Sequence, residues 1–411
     1  MGNSVDSIAE NNTQSAQAQT IISRGKNALL LTVMASTMAV SSLIEFKLLP
    51  IQRLIMEIFQ IDESSYGYLN AAVNYLGIIF VMPIGYLFRK VKAYISIIVC
   101  AVTCVVGGLI MTMTTNYVLF VIGRAIEGAG CGFVGLLIFS LTINLTRPER
   151  RSFMVSLMVS TFMIGQVLYM AITPPLIIGG ISLSELNGGI VVIVAVCFVV
   201  LILACPKDLR IHGVADSVWP TREQTRRIFT NSNVWLLALA LIAFQLSIVS
   251  FVSYQVVYLV QRGLDMQGAS NVVTISSALG IVAMLVWGLL SDKLKTKRKI
   301  AIFSMLASAI CMILLVKTPV AIIWLYTIWL GTLPRSIVGM TNSSAGDLAE
   351  TPSDIAIVNS FISIVVRIGT VIGAILTGYC LVNLGYDTTI YILAGVALLG
   401  AVCWIFAKRV K

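Results

Sequence analysis

The chain has 411 residues, 58% of them hydrophobic and 11% charged, with a formal net charge of +10. An average soluble domain is roughly 25% charged, so a soluble fold could not hide this much apolar surface, and lipid must be the solvent for most of it. The eight cysteines lie in or beside apolar runs and the single histidine, His212, sits in a polar stretch. No metal-ligand spacing results, so neither a metal nor any other cofactor is expected.

Residues 1–26 are rich in Asn, Gln, Ser and Thr and have no apolar core. They predict a disordered cytoplasmic tail rather than a signal peptide. Twelve apolar stretches of about 20 residues follow, the length that crosses ~30 Å of hydrocarbon. They cover 27–50, 67–88, 93–113, 117–145, 153–177, 189–205, 233–260, 269–290, 300–316, 320–344, 355–382 and 387–407. In lipid the backbone must satisfy its own hydrogen bonds, so runs of this length are predicted to be helices. The longest polar connection, 206–231, separates six spans from six and is the predicted linker, with a short surface helix over Thr221–Arg227. The domains expected are therefore bundles at 27–205 and 232–408.

Basic residues collect in alternate connections, at Arg24, Lys26, Arg89–Lys92, Arg147–Arg151, Lys207–Arg227, Lys293–Lys299 and Lys408–Lys411. Only Arg53, Arg262 and Lys317 fall on the other side. This asymmetry predicts cytoplasmic termini at both ends. The positive balance is thereby explained by topology, and no nucleic-acid partner is expected.

Two connections repeat a pattern. Gly85 is followed by Arg89, Lys90 and Lys92, and Gly288, 203 positions after Gly85, by Asp292, Lys293, Arg298 and Lys299. Pro148 and Pro352 keep nearly the same offset. The fourth span carries Arg124-x-x-Glu127-Gly128-x-Gly130-x-Gly132. With Gly123 and Gly135, its glycines are expected to make a close-packing surface. Over about residues 27–408 the chain thus resembles the major facilitator superfamily. The resemblance implies an all-α integral membrane fold of twelve transmembrane helices in two six-helix pseudo-symmetric bundles. It also implies secondary transport by alternating access. Gly85, Arg89, Gly288, Asp292, Lys293 and Arg298 are then the cytoplasmic gate, with Glu127 an associated gating residue. The first loop departs from the family pattern, because Phe88 and Arg89 stand where an Asp is usual. The fifth span, with Gly165, Gln166, Pro174 and Pro175, lacks the Gly-Pro motif of drug-exporting members.

Charges inside the spans each need an account, since one at mid-bilayer costs at least ~2.5–3.5 kcal/mol. Glu45 and Lys47 are two apart and do not share a helix face. Lys47 is expected to snorkel to the surface, and Glu45, like Glu127, is a proton-coupling candidate. Arg124 and Glu127 are three apart and can pair. Arg335 and Arg367 lie near the middle of their spans with no acid within one helical turn. Arginine keeps its proton, so both point to a negative partner such as a carboxylate or oxyanion. Candidate substrate contacts are therefore Arg335, Arg367 and Arg124, together with Gln166, Tyr169, Tyr254, Tyr258 and Trp329 as polar tips on larger bodies.

No Walker loop is present, and no nucleophile, base and orienting group converge, so neither ATP-driven transport nor an enzyme is expected. The reading is a monomer in the plasma (inner) membrane that carries a small organic or inorganic anion by proton symport or solute exchange. A broad-specificity efflux pump for lipophilic compounds, or a non-transporting receptor of the same fold, are the alternatives.

Overall fold

The computed structural model describes residues 24–146, 151–207, 209, 222–294, 297–334, 336–337, 348 and 352–407. These residues are almost wholly helical and contain no strands. In chain order the helices are α1 (Arg24–Phe46), α2 (Gln52–Phe59), α3 (Glu63–Lys90), α4 (Ala93–Met113) and α5 (Tyr117–Leu145). Then come α6 (Arg151–Ile178), α7 (Leu183–Ala204), α8 (Arg222–Thr230), α9 (Ser232–Phe244) and α10 (Ser250–Gln261). The last are α11 (Met266–Leu294), α12 (Lys297–Lys317), α13 (Val320–Thr332) and α14 (Pro352–Phe406).

Among the described residues, nine helical stretches are long and apolar enough to cross a membrane. One of them, Phe361–Phe406, has 46 residues, about 69 Å of helix at 1.5 Å per residue. That is enough for two crossings, and Gly385 with φ 75° breaks it where the sequence predicts the eleventh span to end and the twelfth to begin. The predicted linker helix also forms, as α8.

Helix starts follow from short polar side chains that satisfy the first free N–H groups. Asn116 accepts from the backbone N–H of Val118 and Leu119 at 2.9 and 3.2 Å. Ser182 and Glu185 form a reciprocal capping box ahead of α7. The Asp62 carboxylate accepts from Ser65 N–H at 2.8 Å, and this bond holds the carboxyl below its usual range.

Two departures from regular helix carry more consequence. The first predicted span is not continuous to residue 50: α1 stops at Phe46, and a 3-10 turn at Leu49–Ile51 leads into α2. Pro50 has no N–H to donate and its ring crowds the preceding turn, so the helix cannot run through it. Lys47 sits in this break and is fully buried rather than reaching the surface. The second departure joins α9 to α10 through a π-helical turn at Gln245–Val249. There Ser250 Oγ donates to Gln245 O at 3.1 Å.

The chain forms two compact units. One comprises the described residues of 1–46, 79–166 and 182–216, and the other those of 47–78, 167–181 and 217–411. In the first unit, glycines let backbones approach. A Cβ on Gly107 would lie 2.3 Å from Glu127 N, one on Gly130 2.5 Å from Cys104 Sγ, and one on Gly165 2.1 Å from Ala39 O. Gly123 also faces α4, its Cβ position being 2.9 Å from Gly107 O, whereas Gly135 meets nothing within 4 Å. The expected glycine surface on α5 is therefore shorter than the sequence suggests. Gly107→Ala should force α4 away from α5 and destabilise the protein by about 1–3 kcal/mol. The same change at Gly135 should be silent, and melting temperatures of the two variants decide the point.

Candidate functional site

Three arginines sit on the carboxyl ends of helices, where unpaired carbonyls collect. Arg124 in α5 is fully buried. Its Nη1 donates to Ile44 O and its Nη2 to Glu45 O at 2.7 Å, the last turn of the broken α1. The Glu127 carboxylate lies 3.6 Å from the same guanidinium. Arg262 donates from Nη1 to Val316 O and from Nη2 to Thr318 O, both at 2.7 Å, at the end of α12. Arg298 donates from Nε to Trp404 O at 3.1 Å and from Nη2 to Ile405 O, at the end of α14. In each case a helix end supplies the carbonyl acceptors, joined at Arg124 by the Glu127 carboxylate.

Arg367 differs. It stands 15 residues into α14, about 22 Å along the helix, far from either end. Its Nη1 donates to the neutral Asn74 Oδ1 at 3.1 Å. Among the described residues no carboxylate lies within ion-pair distance of it. Asn74 is itself buried in α3. Gly77, one turn on, provides the room: a Cβ there would be 2.9 Å from Nη1 and 3.5 Å from Cζ.

The α14 face beside Arg367 is fixed by the π-turn. Gln245 Nε2 donates to Thr370 Oγ1 at 2.7 Å and to Val366 O at 3.4 Å. Gly369 and Gly373 admit this bulged backbone, with Cβ positions 2.9 Å from Gln245 Cβ and 2.9 Å from Leu246 Cα. A π-turn carries one more residue per turn than an α-helix and often marks a functional position.

From Arg367 toward the Gly385 break, α14 packs against the start of α3. A Cβ on Gly67 would lie 2.7 Å from Ala374 O, and one on Gly378 2.4 Å from Glu63 O. Tyr386 OH donates to Glu63 Oε1 at 3.3 Å. Tyr254 OH donates to Ala374 O at 3.1 Å, and its ring meets the edge of Tyr66 at 5.9 Å between centroids. Tyr258 stacks on Tyr386 at 6.2 Å and receives a bond from Arg262 at 2.9 Å. Tyr169 OH donates to Lys47 O at 3.0 Å. The three candidate tyrosines thus engage backbone or neighbouring side chains in this packed end.

Gln166 is buried in the first unit, and Trp329 stands among exposed apolar residues of α13 such as Trp324 and Leu325. Gly85 and Arg89 fall in α3, and Gly288, Asp292 and Lys293 in α11; of their side chains nothing is described. Arg335 lies outside the described residues. Glu45 is half-buried near the end of α1. Among the described residues no cluster of His, Cys, Asp or Glu could hold a metal ion. Asn74, Gly77, Gln245 and Thr370 escaped the sequence reading. The signal available was the pair of amides Asn70 and Asn74, one helical turn apart inside the apolar run of the second span.

No curated protein matches the sequence. Solved structures do match the fold. A crystal structure of a bacterial homolog of the human lysosomal transporter Spinster, inward-facing and unoccupied, superposes with a TM-score of 0.74 at 14% identity. It covers 95% of this chain and 98% of its own. The same homolog in the inward-facing and occupied conformation gives 0.76 at 14% identity, with the same coverage. A mutant of the nucleoside transporter NupG gives 0.74 at 14% identity, covering 94% of this chain and 100% of its own. The sequence model described as Major Facilitator Superfamily matches residues 29–351 and again 268–411. Together with the helical architecture, this match places the chain in the major facilitator superfamily of membrane transporters.

Proposed function

We propose that this member of the superfamily is a secondary active transporter of a small organic or inorganic anion, driven by proton symport or solute exchange. The observation that carries the reading is Arg367: a permanent cation at mid-helix whose partner is a neutral amide, in a chain where other arginines rest on helix ends. Arg335, the other mid-span arginine, is assigned to the same task from its position in the sequence. Glu127 faces Arg124; Glu45 and Glu127 are the proton-coupling candidates, and exchange requires neither.

On the orientation that the basic residues predict, both termini are cytoplasmic in the plasma (inner) membrane. The packed end around Glu63 and Gly385 then lies on the outer face. The bundles 27–205 and 232–408 are the two bodies that rock, as a monomer. The cytoplasmic gate is assigned to Gly85, Arg89, Gly288, Asp292, Lys293 and Arg298. The nucleoside named for one structural neighbour is a neutral compound, and 14% identity transfers a fold rather than a substrate.

The deciding experiment measures the melting temperature of the purified protein against carboxylates, phosphate and sulfate, nucleosides, and lipophilic cations. A ligand at 100 times its Kd that binds only the folded state adds about 2.7 kcal/mol of stability. Stabilisation by anions that vanishes in Arg367→Ala is expected. Stabilisation by lipophilic cations alone would favour broad-specificity efflux, and by nucleosides alone a neutral substrate.

A further inference from the structure

The packing of α3 on α14 keeps one register. Glu63 meets Gly378, Gly67 meets Ala374, and Asn74 meets Arg367. Each step forward along α3 is matched by an equal step back along α14, so the helices run antiparallel as a seam. Beyond Ile78, α3 leaves this compact unit. Among the described residues, the Asn74–Arg367 hydrogen bond is the last polar rung of the seam.

We propose that Asn74 is a positioning residue that couples opening of this seam to anion binding at Arg367. The inference rests on the anion-transport reading above. Its logic is a competition for one donor. Asn74 Oδ1 accepts a hydrogen bond from Nη1 without cancelling the charge, so Nη1 is held while the guanidinium stays cationic. Gly77 leaves Nη1 room beside the α3 backbone. When the seam parts, Nη1 loses its acceptor, and a half-buried donor without a partner carries part of the cost of a buried one. An anion that takes over Nη1 removes that cost and binds the parted seam more tightly than the closed one. Differential affinity of this kind is what lets a ligand shift a conformational equilibrium. An amide suits the role. A carboxylate at position 74 would hold Arg367 permanently, and an apolar side chain would leave it unheld.

The test compares Asn74→Asp and Asn74→Leu with the unaltered full chain, using succinate and inorganic phosphate as probes. Dissociation constants and melting temperatures are recorded for each. Asn74→Asp places a competing carboxylate on the guanidinium, and probe affinity is expected to fall by roughly tenfold or more, with the melting temperature held or raised. Asn74→Leu removes the competitor, and affinity is expected to rise several-fold. Opposite shifts in affinity are not what a merely structural residue would give. If both variants bind the probe as the unaltered chain does, the coupling role is overturned while the anion site stands. If the unaltered chain binds neither probe, the anion reading falls and this inference with it.

Discussion

Arg124→Ala is expected to destabilise the protein by about 3–5 kcal/mol, the usual penalty for removing one partner of a buried ion pair. Alanine would leave the Ile44 and Glu45 carbonyls at the end of α1 without their donors and Glu127 buried without its cation. Because α1 stops at Phe46, no following turn can take over those carbonyls. Arg124→Lys should recover only part of the loss, since one ammonium cannot reproduce the planar fork that reaches two carbonyls and a carboxylate. Arg124→Met combined with Glu127→Leu should be milder than the single alanine change, because it removes both charges together. Thermal unfolding in detergent reads all three. A single Arg124→Ala variant that melts with the unaltered protein would show that Arg124 does not hold the end of α1.

Arg367→Ala should reduce anion transport in proteoliposomes by about a hundredfold or more. Truncating one side of a buried charged contact costs about 2–5 kcal/mol, and each 1.4 kcal/mol is a factor of ten. The fold should survive, because the described partner left behind is a neutral amide rather than a stranded charge. Arg367→Lys should keep only a fraction of the rate, since one ammonium cannot reproduce the bidentate fork. Undiminished transport by Arg367→Ala would shift the anion contact to another cation, Arg335 being the first to replace.

The gross architecture was legible because it follows from solvent. Runs of about 20 apolar residues have few options in lipid other than helices, and the break between the last two spans falls at Gly385, where a positive φ favours glycine. The interruption of α1 was also written, as Pro50, but inside an apolar run that reads as one span. The π-turn at Gln245–Val249 carries no comparable mark, since it depends on α14 glycines more than a hundred residues away. The partners of the charged residues were the least legible. Lys47 was expected at the surface and is buried. Arg124 rests on backbone carbonyls, which every residue possesses and no sequence pattern reveals. Arg367 stood out as isolated among the acids, yet its amide neighbour lies 293 residues away in sequence.

The antiparallel seam has an energetic consequence. Across it, among the described residues, the polar links are the Tyr386–Glu63 and Asn74–Arg367 hydrogen bonds, while Tyr254 of α10, bonded to Ala374 O, meets the edge of Tyr66 beside the seam. Each hydrogen bond is worth about 1 kcal/mol net and an aromatic contact about 0.5–1.5 kcal/mol, so these links total only a few kcal/mol. An equilibrium with that gap keeps its minor state populated at roughly 0.1–10%. Were these links to set the gap, the parted form would be sampled without any ligand. A gradient would then need only to bias a traffic that thermal motion already sustains.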